Sequence, residues 1–479
     1  MSQLPIRIAK LPWERTGGKQ EAVVAVINRI SPLKALFLAF AFIVFANASA
    51  QTRNQDTLQT KSQDSTAVIY KKRVLESVEV DFLTSYYYQA GDNAAVSGGI
   101  GNENLNDVTG TLVISIPLND DDVLTIDAGV SAYTSASSSN IGPFDGGTAD
   151  PFQASTGASS GDVWSNVTIG FSRSSDDRNE IWSSKLSVSS EYDYFSVGVG
   201  GSYTQLFNEK NTEISLSGNI YIDSWRAIYP TELRPFGLGG NGLNDGFYRQ
   251  NTITGNVDYN PRFSEFESEG RNSYSLGFGF SQILHKNVQA AIALDFVQQQ
   301  GLLSTPFQRV YFGDVANSYI DNFQLADAIE RLPNLRFKAA AGGRLNWYIY
   351  ERLTLRTFYR YYFDDWGISS HTASVEMPVK ISDKFTLYPS YRYYNQTAAE
   401  YFNPYEQALS TDEFYTSDYD LSEYSANQFG FGASYTDIFM SKRIWKFGLK
   451  SIDLKFYQYN RNTTFRSSII TAGFKFVLE

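Results

Sequence analysis

The sequence contains no cysteine and only two histidines. Without cysteine there is no disulfide scaffold, no cysteine-ligated metal site and no lipid-modified N-terminal cysteine. After the N-terminal region, no apolar run approaches the ~20 residues that a membrane-spanning helix needs. Tyrosine, phenylalanine and glycine are abundant instead. A membrane β-barrel is compatible with all of this, because half of each of its strands is polar.

The charge balance is acidic, with 40 basic and 51 acidic residues. Residues 1–50 contain six basic and two acidic residues, so their removal would leave 34 and 49, a net charge of −15. A strongly acidic chain argues against nucleic-acid binding.

The N-terminus has the pattern of a secretory signal. Lys34 precedes the apolar run Ala35–Phe45, and Ala48-Ser49-Ala50 follows it. Small residues at these positions predict cleavage after Ala50, although a buried core helix is the alternative. We therefore expect a signal-bearing extension over 1–50, a flexible periplasmic lead-in over 51–77 and a barrel over 78–479.

Period-two alternation is clearest in the stretch 353–381. Apolar side chains from Leu353 to Phe363 alternate with a set that includes Arg356, Arg360 and Asp364. The pattern resumes after the turn at Asp365-Trp366-Gly367, which predicts a hairpin with one apolar and one charged face.

The same rhythm continues along the chain, with about sixteen strands near the ~9–11 residues of a tilted membrane strand. Short turns alternate with longer connections. In one of these, Leu325, Ile329 and Leu332 have helical spacing. The pattern predicts an all-β fold, a transmembrane antiparallel up-and-down β-barrel with long extracellular loops and short periplasmic turns. A large soluble β-protein would not explain the one-sided loops.

The last strand, Ile470–Leu478, keeps apolar residues on one face. It suits a C-terminal signal for the barrel-insertion machinery. We expect the protein in the outer membrane of a Gram-negative-type bacterium, with lipid as its surroundings and any periplasmic partner unidentified.

Several stretches together resemble a family of bacterial outer-membrane barrels known only as a domain of unknown function. They are Val80–Tyr88, Ala95–Leu105, Gly129–Ile141, Glu191–Ser196, Arg360–Thr372 and Tyr391–Phe402. The resemblance implies one barrel domain in the outer membrane, and it implies no substrate or reaction.

The polar strand faces supply candidate functional residues. An arginine facing the lipid midplane would cost roughly 2–4 kcal/mol, so these side chains are expected to face the lumen. The candidates are Arg336, Lys338, Arg344, Arg356, Arg360, Asp364, Glu376 and Arg392.

Two interpretations of this basic set remain open. It could form an electrostatic lane for small anionic solutes in a passive pore. Alternatively, Arg356 and Arg360 could pair with Glu376, Asp364 or Asp295 and fill the lumen of a structural barrel or one that docks an envelope partner.

No enzyme, cofactor or metal site is predicted. Ser370 and His371 point to opposite faces of one strand, so they do not form a dyad by themselves, and an outer-membrane hydrolase is the weakest class. Glu191, Asp193, Asp364 and Asp365 lie near outer strand ends and could bind calcium. Their spacing matches no calcium loop, which favours a solvated acidic surface.

Overall fold

The computed structural model describes residues 72–134, 162–230, 232–320 and 323–478. The extension over 1–50 and residues 51–71 of the lead-in lie outside the described residues. The signal peptide, its cleavage near Ala50 and the domain boundaries therefore stay predictions.

Sixteen long strands form one closed sheet. They are β1 (Glu79–Ala90), β2 (Leu105–Pro117), β3 (Asp122–Tyr133), β4 (Asp162–Ser174), β5 (Glu180–Ser190), β6 (Tyr194–Phe207), β7 (Thr212–Arg226), β8 (Ser268–His285), β9 (Val288–Gly301), β10 (Leu335–Tyr350), β11 (Leu353–Asp364), β12 (Ser369–Glu376, continued by Val379–Lys380), β13 (Phe385–Gln396), β14 (Tyr424–Thr436), β15 (Phe447–Arg461) and β16 (Arg466–Leu478).

Each strand pairs antiparallel with its neighbours in sequence, and β16 pairs with β1 to close the barrel. In this closing pair Phe82 lies opposite Phe474, and Tyr86 lies opposite Ile470. The predicted all-β, up-and-down, transmembrane-type barrel is confirmed.

The outer face of the barrel is apolar and exposed. Leu186, Leu216, Ile292, Tyr359 and Phe429 all point outward, and each is between 49 and 59% exposed. Outward charged residues such as Arg173, Glu180 and Arg226 stand at strand ends. An apolar belt of this extent, with charge confined to its edges, is the lipid-facing surface of a membrane barrel.

The two ends of the barrel differ. At one end, the short-turn end, the strands are joined over 118–121, 175–179, 208–211, 286–287, 351–352, 381–384 and 437–446. The other, long-loop end carries the connections 91–104, 134–161, 227–267, 302–334 and 397–423, with three short ones between them. Residues 135–161 of this end lie outside the described part of the chain.

Four of the long connections fold into one body, which we call the lid: 91–104, 227–267, 302–334 and 397–423. It contains the four-residue helix α1 (Gly246–Arg249) and the paired short strands Arg309–Val310 with Ala328–Ile329. The strand Ser318–Ile320 pairs with both Ile253–Gly255 and Phe323–Gln324. Across the four described ranges, no helix is long and apolar enough to cross a membrane.

The lid has its own apolar core. Leu233, Tyr311 and Ala326 are buried in one cluster, and Phe312, Ala328 and Tyr415 are buried in a second. The helical spacing of Leu325, Ile329 and Leu332 does not form a helix. Ile329 lies in a short strand, and all three side chains are buried.

The lid crosses the mouth of the barrel. The β1–β2 and β9–β10 connections leave the wall eight strands apart, which is half of the sixteen-strand circumference. They nevertheless touch, because Arg309 Nη1 donates a hydrogen bond to the carbonyl oxygen of Val96. Contact between diametrically placed loops requires that they span the opening.

Candidate functional site

The side chains that line the lumen differ in size around its circumference. Strands β5 to β8 present a serine–glycine wall, whose inward residues include Ser183, Ser187, Gly198, Gly200, Ser202, Ser217 and Gly277. Strands β10 to β13 carry the large inward side chains Arg344, Phe358, Arg360, Tyr362, Arg392 and Tyr394. The two sectors of the lining therefore differ in side-chain size, although Lys185 and Tyr221 reach over Gly200 and Gly198 within the serine–glycine wall.

All eight predicted lumen residues lie on the inward face of adjacent strands, which we call the basic wall. Strand β10 carries Arg336, Lys338 and Arg344; β11 carries Arg356, Arg360 and Asp364; β12 carries Glu376; and β13 carries Arg392. Their register brings them together, because Arg356 lies opposite Glu376 and Lys338 lies opposite Asp364.

At the long-loop end of this wall, Arg336 and Asp364 form a structural lock. Asp364 Oδ2 accepts hydrogen bonds from Arg336 Nε at 3.1 Å and from the Tyr362 hydroxyl at 2.7 Å. Its other oxygen accepts the backbone N–H groups of Trp366 and Ile368 at 3.1 and 2.9 Å. The Arg336 guanidinium also lies 4.2 Å from the centre of the Trp366 ring. These contacts neutralise Arg336.

Two further basic residues are engaged within the wall. Arg356 Nη1 lies 2.8 Å from Glu376 Oε1, as in the predicted salt-bridge ladder. Arg344 instead places its guanidinium 5.3 Å from the centre of the Phe358 ring, which leaves its charge uncompensated by that contact. The basic wall therefore combines paired and unpaired positive charges, so neither of the two sequence-based interpretations describes all of it.

Arg360 carries the free charge at the middle of the wall. It lies opposite Gly342 on β10 and Thr372 on β12. In the part of the chain that the structure describes, its Nε is buried without a hydrogen-bond partner and the residue makes no ion pair within 4.0 Å. Its charge acts on the carboxylate of Asp295 from a longer distance. Arg392, opposite Ser374 and Gln428, lies within electrostatic range of Tyr394 and Tyr459.

The structure adds Arg271, which the sequence-based choice of inward residues did not include. Arg271 lies on β8, with Nε 3.6 Å from Asp223 Oδ2, and its charge acts on Lys338. Its guanidinium also stacks 5.1 Å from the Trp225 ring centre. A longer reading of the alternation through Ser273 and Tyr274 would have placed Arg271 inside the barrel.

An acidic wall lies across the lumen from the basic one. Its inward residues are Glu79, Asp81, Asp107, Asp127 and Asp162, on strands β1 to β4. Strand β3 is eight strands from β11, so Asp127 and Arg360 stand on opposite sides of the barrel. Lys475 Nζ lies 2.7 Å from Glu79 Oε2, and Ser131 donates to Asp107. The lumen therefore has a transverse separation of charge.

Charged side chains hold the lid over this lumen. Arg309 Nε donates to Glu232 Oε1 at 2.6 Å, and the carbonyl oxygen of Arg309 accepts from Ser417 Oγ at 2.9 Å. Arg309 thus joins four connections, because it also contacts Val96. Glu330 accepts the N–H of Thr305 at 2.6 Å and the hydroxyl of Thr416.

Burial raises the pKa of several lid carboxyls. The pKa of Glu330 rises to about 7, and that of Asp327 rises to about 6, because both groups lose water. Loss of water also raises the pKa of Glu103 to about 7. In the lid as the structure shows it, all three carboxyls therefore hold a proton more tightly than carboxyls in water do.

The remaining residues considered from the sequence, the serine–histidine pair and the four possible calcium ligands, lie in separate places. His371 faces outward, and its Nδ1 lies 2.7 Å from the hydroxyl of Tyr359. Ser370, beside it in sequence, is buried on the inward face. Asp364 and Asp365 lie at the β11–β12 turn, apart from Glu191 and Asp193 at the β5–β6 turn.

The solved structures with a similar fold include a bacterial polysaccharide outer membrane secretin, at 10% identity and a TM-score of 0.39, covering 84% of this chain and 98% of the other. The siderophore receptor PirA from Pseudomonas aeruginosa matches at 9% identity and 0.38, covering 84% of this chain. This chain covers 62% of that receptor's length. OccD3 (OpdP) from the same organism matches at 9% and 0.38, covering 85% and 93%. At these scores the likenesses carry no argument.

No curated protein matches this chain. The family model described as "Protein of unknown function (DUF3570)" matches residues 162–460. This range runs from the first residue of β4 to the penultimate residue of β15, and it includes the basic wall and most of the lid. The predicted membership of an uncharacterised family is confirmed: the chain belongs to the DUF3570 family of proteins of unknown function.

Proposed function

We propose that this protein is an outer-membrane channel for passive passage of small anionic solutes, with the lid controlling entry at the long-loop end. The observation that carries the proposal is the basic wall, and above all Arg360 at its centre. Its charge is held toward the lumen and is not neutralised by an ion pair among the described residues.

The outward belt supports the membrane location. If the barrel stood in water, the large apolar side chains of this belt would be exposed to solvent on every side. The short-turn end, where both described chain ends lie, would face the periplasm. The lid would then face the cell exterior.

Conduction through a charged lumen requires both attraction and space. The basic wall supplies attraction for anions. Arg336 and Arg356 form ion pairs with carboxylates, whereas Arg344 and Arg360 form none among the described residues. The serine–glycine wall adds small inward side chains, which leave room in the lumen where Lys185 and Tyr221 do not reach. On the acidic wall Glu79 is offset by Lys475, which limits its repulsion of an anion.

The lid favours a second candidate, a closed barrel that conducts nothing and serves as a structural or docking element. Loops that span the mouth and share a buried core would block a static pore. The two candidates differ in whether the lid opens, and conductance with a lid variant separates them.

The test is single-channel conductance of the refolded chain in a planar bilayer, with a salt gradient to measure ion selectivity. We expect anion-preferring steps whose preference falls in Arg360→Gln, because the uncompensated charge is lost. The matched control is Lys442→Gln, which removes the same charge from an exposed turn. It should conduct like the parent chain.

Three results would contradict the channel. One is a cation preference in the parent chain, and another is equal selectivity of Arg360→Gln and the control. The third is the absence of conductance from a heat-modifiable, folded barrel, even when Arg309→Ala has loosened the lid. That absence would favour the docking barrel.

A further inference from the structure

Three carboxylates meet where β4, β5 and β6 reach the long-loop end, outside the basic wall and the lid core. Asp162 begins β4, Glu191 follows β5 and Asp193 precedes β6. One oxygen from each lies within 4.8 Å of the other two. Sequence spacing alone does not show this, because Asp162 comes from a different hairpin than Glu191 and Asp193.

The arrangement leaves buried oxygen atoms without partners. Asp193 is only 4% exposed, and its Oδ2 accepts the indole N–H of Trp225 at 3.3 Å. Its Oδ1 and Glu191 Oε1 are buried and have no hydrogen-bond partner among the described residues. A buried carboxylate oxygen without a donor is costly unless a cation or a proton satisfies it.

Within the described ranges, side-chain cations do not supply that compensation. The charge that acts on Glu191 is that of Asp193, and the charge that acts on Asp193 is that of Asp162. The nearby Arg271 is directed to Asp223 and stacks on Trp225. Burial, together with the neighbouring carboxylate, raises the pKa of Glu191 to about 8. The three groups therefore share an excess of negative charge.

We propose that Asp162, Glu191 and Asp193 bind a hard divalent cation, Ca²⁺, at the outer rim of the barrel. Calcium takes oxygen ligands at ~2.3–2.6 Å, so oxygens on opposite sides of the ion lie up to about 5 Å apart. The observed spacing fits this sphere without movement of the strands. The hydrogen bond from Trp225 orients Asp193, as outer-shell donors do at metal sites.

The cation would tie the start of β4 to the β5–β6 turn. We expect an affinity on the order of 10⁻⁴–10⁻³ M, the range of extracellular calcium modules. The inference departs from the sequence-based expectation of a solvated acidic surface and no metal.

Terbium luminescence in the refolded full chain tests the site directly. Tb³⁺ binds calcium sites, and the indole of Trp225 lies close enough to Asp193 to sensitise its emission. We expect saturable emission that millimolar Ca²⁺ displaces. The variant Glu191→Gln with Asp193→Asn should weaken binding by about tenfold or more.

The matched control is Glu413→Gln with Glu423→Gln, which removes two exposed acidic charges from the lid. It should bind like the parent chain. Trp225→Phe should lose the tryptophan-sensitised emission, which places the ion beside this ring, and it should also weaken calcium binding because Asp193 loses its outer-shell donor. Equal binding in both double variants, or emission that Ca²⁺ does not displace, would overturn the proposal. If heat-modified gel mobility shows that the double variant does not fold, Asp162→Asn takes its place. Binding of this variant equal to that of the parent chain would then overturn the proposal.

Discussion

The barrel wall and the lid are held together by different forces. The wall is a continuous ladder of backbone hydrogen bonds in which every strand has two neighbours. The lid has only short paired segments, such as Arg309–Val310 with Ala328–Ile329, and depends on buried side chains. Closure of a barrel leaves no unpaired strand edge, whereas a lid has to satisfy its backbone piece by piece.

This difference indicates where single substitutions act. Inward side chains in the middle of the wall can be replaced without breaking the backbone ladder. We therefore expect Arg360 variants to keep the fold and to change only the proposed ion selectivity. In the lid, and where the wall meets it, one side chain often serves several backbone groups. Four predictions test this division, beginning with the largest effect.

Asp364→Ala should be the most damaging change, because it removes a side chain that the wall does depend on. It leaves Arg336 buried without its partner and two backbone N–H groups without acceptors. Loss of one partner of a buried pair costs ~3–5 kcal/mol in the free energy of unfolding. Urea unfolding of the refolded barrel measures the loss. The control Asp383→Ala, in an exposed turn, should change little. Equal stability of both variants would contradict the lock.

Arg309→Ala should loosen the lid while the barrel stays folded. Glu232, whose side chain is 5% exposed, would lose its ion-pair partner. The penalty is also ~3–5 kcal/mol at most, reduced where water enters the opened lid. We expect faster proteolysis of the lid and longer open times in bilayers. Arg249→Ala, exposed on the same lid, is the control. A lid that is equally protected in both variants would show that Arg309 does not hold it.

The same difference explains what could be predicted from sequence. The wall follows from alternation, because a strand with lipid on one side and lumen on the other repeats with period two. The alternation predicted from Leu353 to Phe363 lies within β11, Leu353–Asp364. The inward positions of Arg356 and Arg360 follow from the same parity.

The lid could not be predicted in this way, since its contacts join residues far apart in sequence. Leu325, Ile329 and Leu332 have helical spacing but form no helix. Leu325 packs with Tyr248 and Tyr259, and the cluster of Ile329 includes Tyr229 and Leu233, all from the connection 227–267. The pairing of Arg309 with Glu232 and the approach of Asp162 to Asp193 likewise need the closed barrel. Period-two alternation predicts which face of a strand a residue occupies, but it does not predict contacts between residues far apart in sequence.

Gly98→Ala should have a smaller effect on the lid. Gly98 has a φ of +84°, and an added Cβ would lie 2.4 Å from a ring carbon of Tyr311. Gly101→Ala is the matched control, because Gly101 has a φ of +86° and its nearest neighbours are 4.0 Å away. Both changes impose the backbone strain of ~1–3 kcal/mol, and only Gly98→Ala displaces the tyrosine. We expect greater lid proteolysis in Gly98→Ala, and equal proteolysis would mean that the ring contact contributes nothing.

The smallest predicted effect is a dependence of lid opening on pH. Burial raises the pKa of Glu330 to about 7 in the closed lid, whereas an opened lid would restore the ordinary value of ~4.3. The closed lid therefore binds the proton more tightly, and its stability is lost as pH rises from the ordinary pKa to the raised one. Asp327 and Glu103 act in the same direction.

We expect the open probability to rise between about pH 5 and about pH 8 and to level off above the raised pKa. Glu330→Gln should reduce this rise, because its amide does not titrate while Asp327 and Glu103 still do, and Glu413→Gln on the lid surface should leave it unchanged. Single-channel recording across this range measures both. An open probability that falls with rising pH would contradict the assigned sign, and it would mean that ionised Glu330 stabilises the closed lid through Arg336, the cation whose charge acts on it.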